Sequence, residues 1–345
     1  MARITLRNGR ALGDYHDPYI VAELNTSHFG DPETARAMID SARAAGVDCV
    51  KFQSWTTDTL YSSTHYRQNP IARRFVSKFS MSDAQLAELA GYCRTVGMDF
   101  ASTPYSREEA RVLAETCEVP FIKIASMELD NLPYLDYLAR LGVPLVLSTG
   151  MGTTEEIRRA VGTIHEAGQD ALAILHCVSV YPAAPESIRL HNLLGLRSEF
   201  PDCPIGYSDH TQGVEIPAAA VALGACLIEK HFTLDKSRIG MDNQMATEPD
   251  EMATMVRHCR SVQVALGGAS RILDAAEAAQ RPKMRRSLVT IRDLPAGHVL
   301  RAGDLDAKRP GTGFAPTQID RLVGRTLRVP VAADEIIAAE HLADD

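Results

Sequence analysis

From residue 19 the chain alternates short apolar runs with longer amphipathic segments at a nearly regular interval. The runs are YIVAEL (19–24), CVKFQSW (49–55), DFASTPY (99–105), PFIKIAS (120–126), PLVLSTG (144–150), LAILHCVS (172–179), PIGYSDH (204–210) and CLIEKHFT (226–233), eight in all. Between them, segments such as DPETARAMIDSARAAG and TTEEIRRAVGTIHEAG open on an Asp or Thr cap, carry acids in the first turn and end at Gly. Strands alternating with helices predict a parallel sheet. Eight such units in about 250 residues have the size and count of a TIM (β/α)8 barrel. A doubly wound open sheet is the alternative, but no G-x-G-x-x-G follows the first run and eight units favour closure.

The rhythm breaks twice. After the second run, 25 residues from Thr56 to Ser80 pass before the next clear helix, which predicts a partly ordered flap or a few short helical pieces. After DEMATMVRHCRSVQVALGG the pattern changes to β-branched runs punctuated by Pro-Ala-Gly and Pro-Gly turns. The expected organisation is a barrel over 1–267, a linker over 268–286 and a small β-rich domain over 287–345.

Composition narrows the function classes. The formal charge is −8, from 36 basic and 44 acidic residues, which argues against a broad nucleic-acid-binding surface. Only RPKMRR (281–286) is locally basic. Seven scattered cysteines without a C-x-x-C pair suit reduced core thiols, and no run approaches the roughly 20 apolar residues of a membrane span. With no apolar secretory core near the N-terminus, a cytoplasmic protein without membrane or nucleic-acid partners is expected.

In a TIM barrel, function gathers at the C-terminal strand ends. Those ends here are polar: Glu23, then Lys51 and Gln53, Thr103, Lys123 and Ser126, Ser148, His176 and Ser179, Ser208–Asp209–His210, and Glu229–Lys230–His231. Lys51 and Lys123 each sit among apolar neighbours inside a strand, where a lone ammonium is costly. They are either paired inside the barrel with Glu23 or Asp209, or held for an anionic substrate. Thr103, Ser126, Ser148 and Ser208 at successive strand ends add the hydroxyl donors of a phosphate site, although any one of them alone could be a helix cap. His210 and His231 fall on adjacent strands, each beside an acid or a lysine, and could share a divalent cation with open positions. Spacing alone therefore predicts a barrel enzyme for a phosphorylated or carboxylated small molecule, assisted by a metal.

The blocks YIVAEL, VKFQSW, STPYS, IKIASMELDNLPYL, LSTGM, LHCVSVYPA, IGYSDHTQGVEIPAAAVALGACLIEKHFTLD and KRPGTG resemble, in order and over essentially the whole chain, the sialic acid synthase family. Its members make N-acetylneuraminate, legionaminate or pseudaminate and carry a C-terminal antifreeze-like (SAF) module. The resemblance implies condensation of phosphoenolpyruvate (PEP) with an N-acetylated hexosamine, such as N-acetylmannosamine or a diacetamido-trideoxyhexose, with release of phosphate. It implies a divalent metal on His210 and His231, manganese with magnesium or cobalt as alternatives. Lys51, Thr103, Lys123, Ser126, Ser148, Ser179 and Ser208 would hold PEP, and Glu23 would act beside the reacting carbons. Gln53, Tyr181 and Asp242 would face the sugar, and Arg309 of KRPGTG would reach the sugar's N-acetyl group across a homodimer that exchanges its SAF modules.

The chain departs from the family pattern in places. NTSHFG puts Asn25, Ser27 and Phe29 where Gly, Asn and Asn are usual, Ser179 stands where Asn is frequent, and GMDNQMA replaces the more usual G-P-D-H. These changes bear on which hexosamine is taken, and sequence ranks neither the sugars nor the metals. Two other functions remain open: a Schiff-base aldolase using Lys51 or Lys123, and a non-catalytic scaffold whose SAF module binds carbohydrate.

Overall fold

A computed structural model describes residues 1–344. The chain forms two compact units, 1–267 and 268–345. The first opens with an antiparallel hairpin, β1 (Arg3–Thr5) and β2 (Ala11–Gly13). Eight parallel strands follow: β3 (Tyr19–Glu23), β4 (Cys49–Ser54), β5 (Asp99–Pro104), β6 (Ile122–Ile124), β7 (Leu145–Ser148), β8 (Leu172–Cys177), β9 (Ile205–Asp209) and β10 (Leu227–His231). They close into a barrel in sequence order, with β10 pairing β3. Every one of the eight apolar runs contains one barrel strand, so the TIM barrel expectation holds.

Period-two alternation divides the strand side chains between two cores. Ile20, Ala22, Val50, Ile174, Tyr207 and Ile228 point outward into the layer shared with the helices. Tyr19, Val21, Cys49, Ala101, Phe121, Val146, Ala173, Leu175 and Leu227 point inward and fill the lower half of the barrel. Ile4, Leu6 and Leu12 of the N-terminal hairpin pack onto that inner cluster and close its bottom. With the lower half filled by apolar side chains, the cavity is confined to the C-terminal strand ends.

The helices start and stop where local chemistry directs. Asp31 caps the helix Pro32–Ala45, which ends at Gly46 in the left-handed conformation. Ser82–Gln85 and Thr153–Glu156 form capping boxes at the helices Asp83–Val96 and Thr154–Glu166.

The 56–80 segment folds as two short helices, Ser63–Gln68 and Pro70–Phe79, parted at Asn69. Trp55, Tyr66, Val76 and Phe79 form its own apolar cluster. Phe29, after β3, and Tyr105, after β5, pack against that cluster and tie the flap to the barrel mouth.

In the second unit, β11 (Ser287–Thr290) pairs antiparallel with β12 (Leu305–Lys308). Its core gathers Leu288, Leu294, Leu300, Leu322, Leu327, Val331, Ile337 and Leu342. The 268–286 stretch, expected as a linker, carries the helix Ala275–Met284 within this unit. All seven cysteines are buried free thiols. No helix among the described residues is long and apolar enough to cross a membrane.

Candidate functional site

Above the apolar fill, the inward-facing residues become charged, and a cavity of about 270 Å³ opens at the barrel mouth. Glu23, Lys51, Thr103, Lys123, Ser148, Ser208, Glu229 and His231 line its floor, each from a strand or a strand end. Gln53, Ser126, Ser179, Tyr181, His210 and Asp242 line its wall and rim. The structure thus brings together every strand-end and loop residue expected to hold PEP, the sugar or the metal, whereas His176, Asp209 and Lys230 do not line the cavity. Arg309 is the exception among the expected contacts: it is an exposed residue of the second unit, preceding Pro310.

The lysines are paired within the barrel. Lys51 forms an ion pair with Glu23, lies 3.8 Å from Glu229 Oε2 and donates to Thr103 Oγ1 at 3.2 Å. Lys123 Nζ donates to Ser148 Oγ at 2.6 Å and to the Ile124 carbonyl at 3.2 Å, with Glu229 Oε1 at 3.9 Å. Ser208 Oγ donates to the same Glu229 oxygen at 2.9 Å. Glu229 is therefore the anion between the two lysines. It was named among the strand ends without a role, yet it precedes His231 by two residues, and strand alternation alone turns it inward.

Asp209, weighed as a partner for these lysines, points the other way. It is buried in the outer layer and takes Lys230 Nζ at 2.6 Å, Tyr207 Oη at 2.7 Å and the Thr211 amide at 3.0 Å. His176 also faces outward, bonded to the Ile188 carbonyl at 2.6 Å.

Burial and mutual fields set the charge states. Burial drives the Glu23 carboxyl above the ordinary range despite Lys51. Burial also opposes ionisation of Glu229, but Lys123 and Lys51 outweigh it and hold that carboxyl below the ordinary range. Lys51 loses to burial less than it gains from Glu229 and Glu23, and ends raised. Lys123 is lowered by burial, with Glu229 opposing and Lys51 reinforcing. The cavity floor thus sets Lys51 and Lys123 beside Glu23 and Glu229 at the edge of open space, where the two lysines can meet an anion.

The histidines meet at the rim with ring centroids 5.4 Å apart, and the Tyr181 ring lies tilted with its centroid 4.2 Å from that of His210. His210 Nδ1 lies 2.7 Å from the Val178 carbonyl, which can only accept, so Nδ1 carries the proton and Nε2 keeps its lone pair. Burial and then His210 hold His231 well below the ordinary histidine value, as a neutral imidazole. Burial lowers His210, but the Cys177 sulfur 4.0 Å away, the Val178 carbonyl and Glu229 together leave the ring raised. Among the described residues no group of three or more His, Cys, Asp or Glu is arranged to hold a metal. Two imidazoles beside an open polar cavity fit a divalent cation that takes two protein ligands and leaves positions for small molecules.

Residues 38–271 match the NeuB family and residues 285–343 match the SAF domain. The chain belongs to the NeuB family. It is 35% identical to N,N'-diacetyllegionaminic acid synthase of Legionella pneumophila, with 94% of each chain covered. It is 34% identical to human N-acetylneuraminate-9-phosphate synthase over 98% of this chain and 96% of the relative. The N-acetylneuraminic acid synthetase of Leptospira borgpetersenii, solved with citrate, superimposes with a TM-score of 0.74 at 32% identity, covering 81% of this chain and 94% of that one. As a NeuB protein with an SAF domain, it is an enzyme of sialic-acid-type sugar synthesis.

Two features of this NeuB cavity go beyond the sequence reading: further lining residues and the partners of Asn25. Cys177 and Tyr105 join the lining. Asn25, after β3, donates from its amide to Asp242 Oδ2 and from its backbone to Glu23 Oε1 at 2.8 Å. No sequence-local signal links Asn25 to a partner 217 residues away.

Proposed function

We propose that the cavity joins PEP to the open-chain aldehyde of an N-acetylated hexosamine, giving a nine-carbon 2-keto sugar acid and inorganic phosphate. The observation that carries this reading is the convergence of two buried lysines, a ring of hydroxyls and two histidines in one cavity. PEP brings a phosphate and a carboxylate. Lys51 and Lys123, with Thr103, Ser126, Ser148, Ser179 and Ser208, supply the charge-assisted donors those groups need. A divalent cation on His210 and His231, manganese with magnesium or cobalt as alternatives, would supply a Lewis acid at the aldehyde oxygen. Gln53, Tyr181 and Asp242 face the sugar.

In the condensation, C3 of PEP bonds to the aldehyde carbon and the aldehyde oxygen gains a proton. Positive charge then develops at C2. Water adds there and loses one proton, the bond from C2 to the phosphate oxygen then breaks as the new C2 hydroxyl gives its remaining proton to the departing phosphate, and C2 becomes the keto carbon. Glu23 sits beside Lys51 on the cavity floor, within reach of Gln53, to stabilise the charge at C2 or to take water's proton. In a homodimer that exchanges SAF domains, Arg309 of one copy would complete the site of the other by contacting the N-acetyl group.

The lowered ammonium of Lys123 favours a second reading, a Schiff base with a keto acid. One experiment separates the two. The protein is incubated with manganese, PEP and a panel of N-acetylated hexosamines, reading phosphate release and 2-keto acid formation. Stoichiometric release with at least one sugar is expected, abolished by chelator. Borohydride trapping of a keto acid with full activity in chelator would instead establish the Schiff base, and no product with any sugar would reject the synthase.

A further inference from the structure

The loops after the first and last barrel strands meet at the rim because barrel closure makes β3 and β10 neighbours. They are joined at several points. The Arg238 guanidinium lies 3.6 Å from the centroid of the Phe29 ring, and the Met241 amide donates to Thr26 Oγ1 at 3.4 Å. Within the later loop, the Asn243 amide ties down the carbonyls of Asp235 and Arg238, each at 2.7 Å, while Thr233 donates to Asn243 Oδ1 at 2.5 Å. The rim segment that carries Asp242 is therefore braced on both sides.

Among the described residues, Asn25 donates the hydrogen bond that reaches the Asp242 carboxylate. Its backbone stands at φ 40°, in the left-handed region, which Gly, Asn and Asp adopt most readily. That conformation lets the backbone amide bond Glu23 while the side-chain amide turns to Asp242 Oδ2. We propose that Asn25 is a positioning residue that sets which hexosamine the cavity accepts, by fixing the Asp242 carboxylate so that Oδ1 alone is offered to the sugar. A half-buried carboxylate free to rotate could present either oxygen, or turn toward His210, and would accept sugars of differing stereochemistry. Pinned through Oδ2, it accepts one hydroxyl or amide donor at one place. The sugar class favoured is then a hexosamine with a donor at that position, against epimers or deoxy sugars that lack it.

This inference rests on the reading of Asp242 as a sugar contact, and its test separates the two. Asn25→Gly keeps the backbone conformation and deletes the amide. Its KM for the best hexosamine should rise about tenfold, the value of a lost hydrogen bond to a charged group. The spread of kcat/KM across the sugar panel should narrow, while the KM for PEP and the melting temperature stay unchanged. Asn25→Asp, which keeps the shape and sets two carboxylates together, should raise the sugar KM further. If the wild type works and neither variant moves the sugar KM or the spread, the inference is overturned alone. The same holds if the KM values for PEP and sugar rise together. If the wild type turns over no hexosamine, the proposed function falls and the inference falls with it.

Discussion

β9 and β10 carry two groups of buried charge back to back. On the outer face, Lys230 and Asp209 form a pair closed on itself: the ammonium also donates to the Thr211 carbonyl at 2.6 Å, and the carboxylate takes Tyr207 and Thr211 as well. On the inner face, Glu229 and Ser208 meet Lys51 and Lys123 around open volume, with both lysine–Glu229 distances near the limit of an ion pair. Both groups are fully buried, so burial of charge does not distinguish structure from function. What distinguishes them is open space: the outer pair is enclosed by the protein, whereas Lys51 and Lys123 line a cavity in which their long contacts to Glu229 can be traded for a substrate's oxygens.

The sharpest way to break this contrast is to remove the outer ammonium. Lys230→Met leaves Asp209 charged, buried and without its cation, and should cost about 3–5 kcal/mol in urea unfolding. A loss below about 1 kcal/mol would mean that the outer pair contributes little to the fold.

The converse change is Lys123→Met. It relieves a buried, partly compensated cation, so unfolding should shift little, while kcat/KM for PEP falls by about 10²–10³. A large stability loss with retained turnover would reverse the assignment of the two groups.

A smaller test enlarges the cavity wall instead of changing charge. A Cβ on Gly150 would press on Ser179 Oγ and lie 2.7 Å from Ser126 Oγ. Gly150→Ala should therefore displace two hydroxyl donors and raise the KM for PEP about tenfold, without altering the fold. The sugar KM measured at saturating PEP should not change.

The smallest effect lies in the second unit, whose Asp304 is another satisfied carboxylate. The hydrogen bond from His298, the Arg301 amide and Arg292 hold it down to about 2 against burial. A depressed acid stabilises the fold above its unfolded value of about 4, and that contribution is lost as pH falls toward the folded value. The opening free energy that hydrogen-exchange protection reports for the β11–β12 region, after correction for intrinsic exchange rates, should fall between about pH 4 and 2 by on the order of 1 kcal/mol. Asp304→Asn should flatten that dependence.

Much of this contrast was legible in the residues. Eight apolar runs located every barrel strand, because a buried parallel strand needs a continuous apolar stretch. The polar residues that interrupt those runs then marked the cavity. The N-terminal hairpin was not legible, since strands of three residues are too short to show a period. The two flap helices were legible only as short helical pieces without bounds, because they run for six and ten residues and are parted at Asn69-Pro70.

Within the site, the lysines, hydroxyls and histidines stood out as unusual residues in strands. Asp209 and Glu229 were harder, because each shortly precedes a histidine and only their outward or inward turn separates them. Asn25 stood out only as a departure from the family's usual Gly; its contact to Asp242 was beyond reach, because barrel closure sets it.

The most direct measurement is calorimetric titration of PEP into the substrate-free protein and into Lys123→Met. The wild type should bind one PEP per chain, and the variant, with an unchanged melting temperature, should bind it at least about a hundredfold more weakly. Equal affinity in the two proteins would contradict the claim that the inner lysines are held for the substrate's anion.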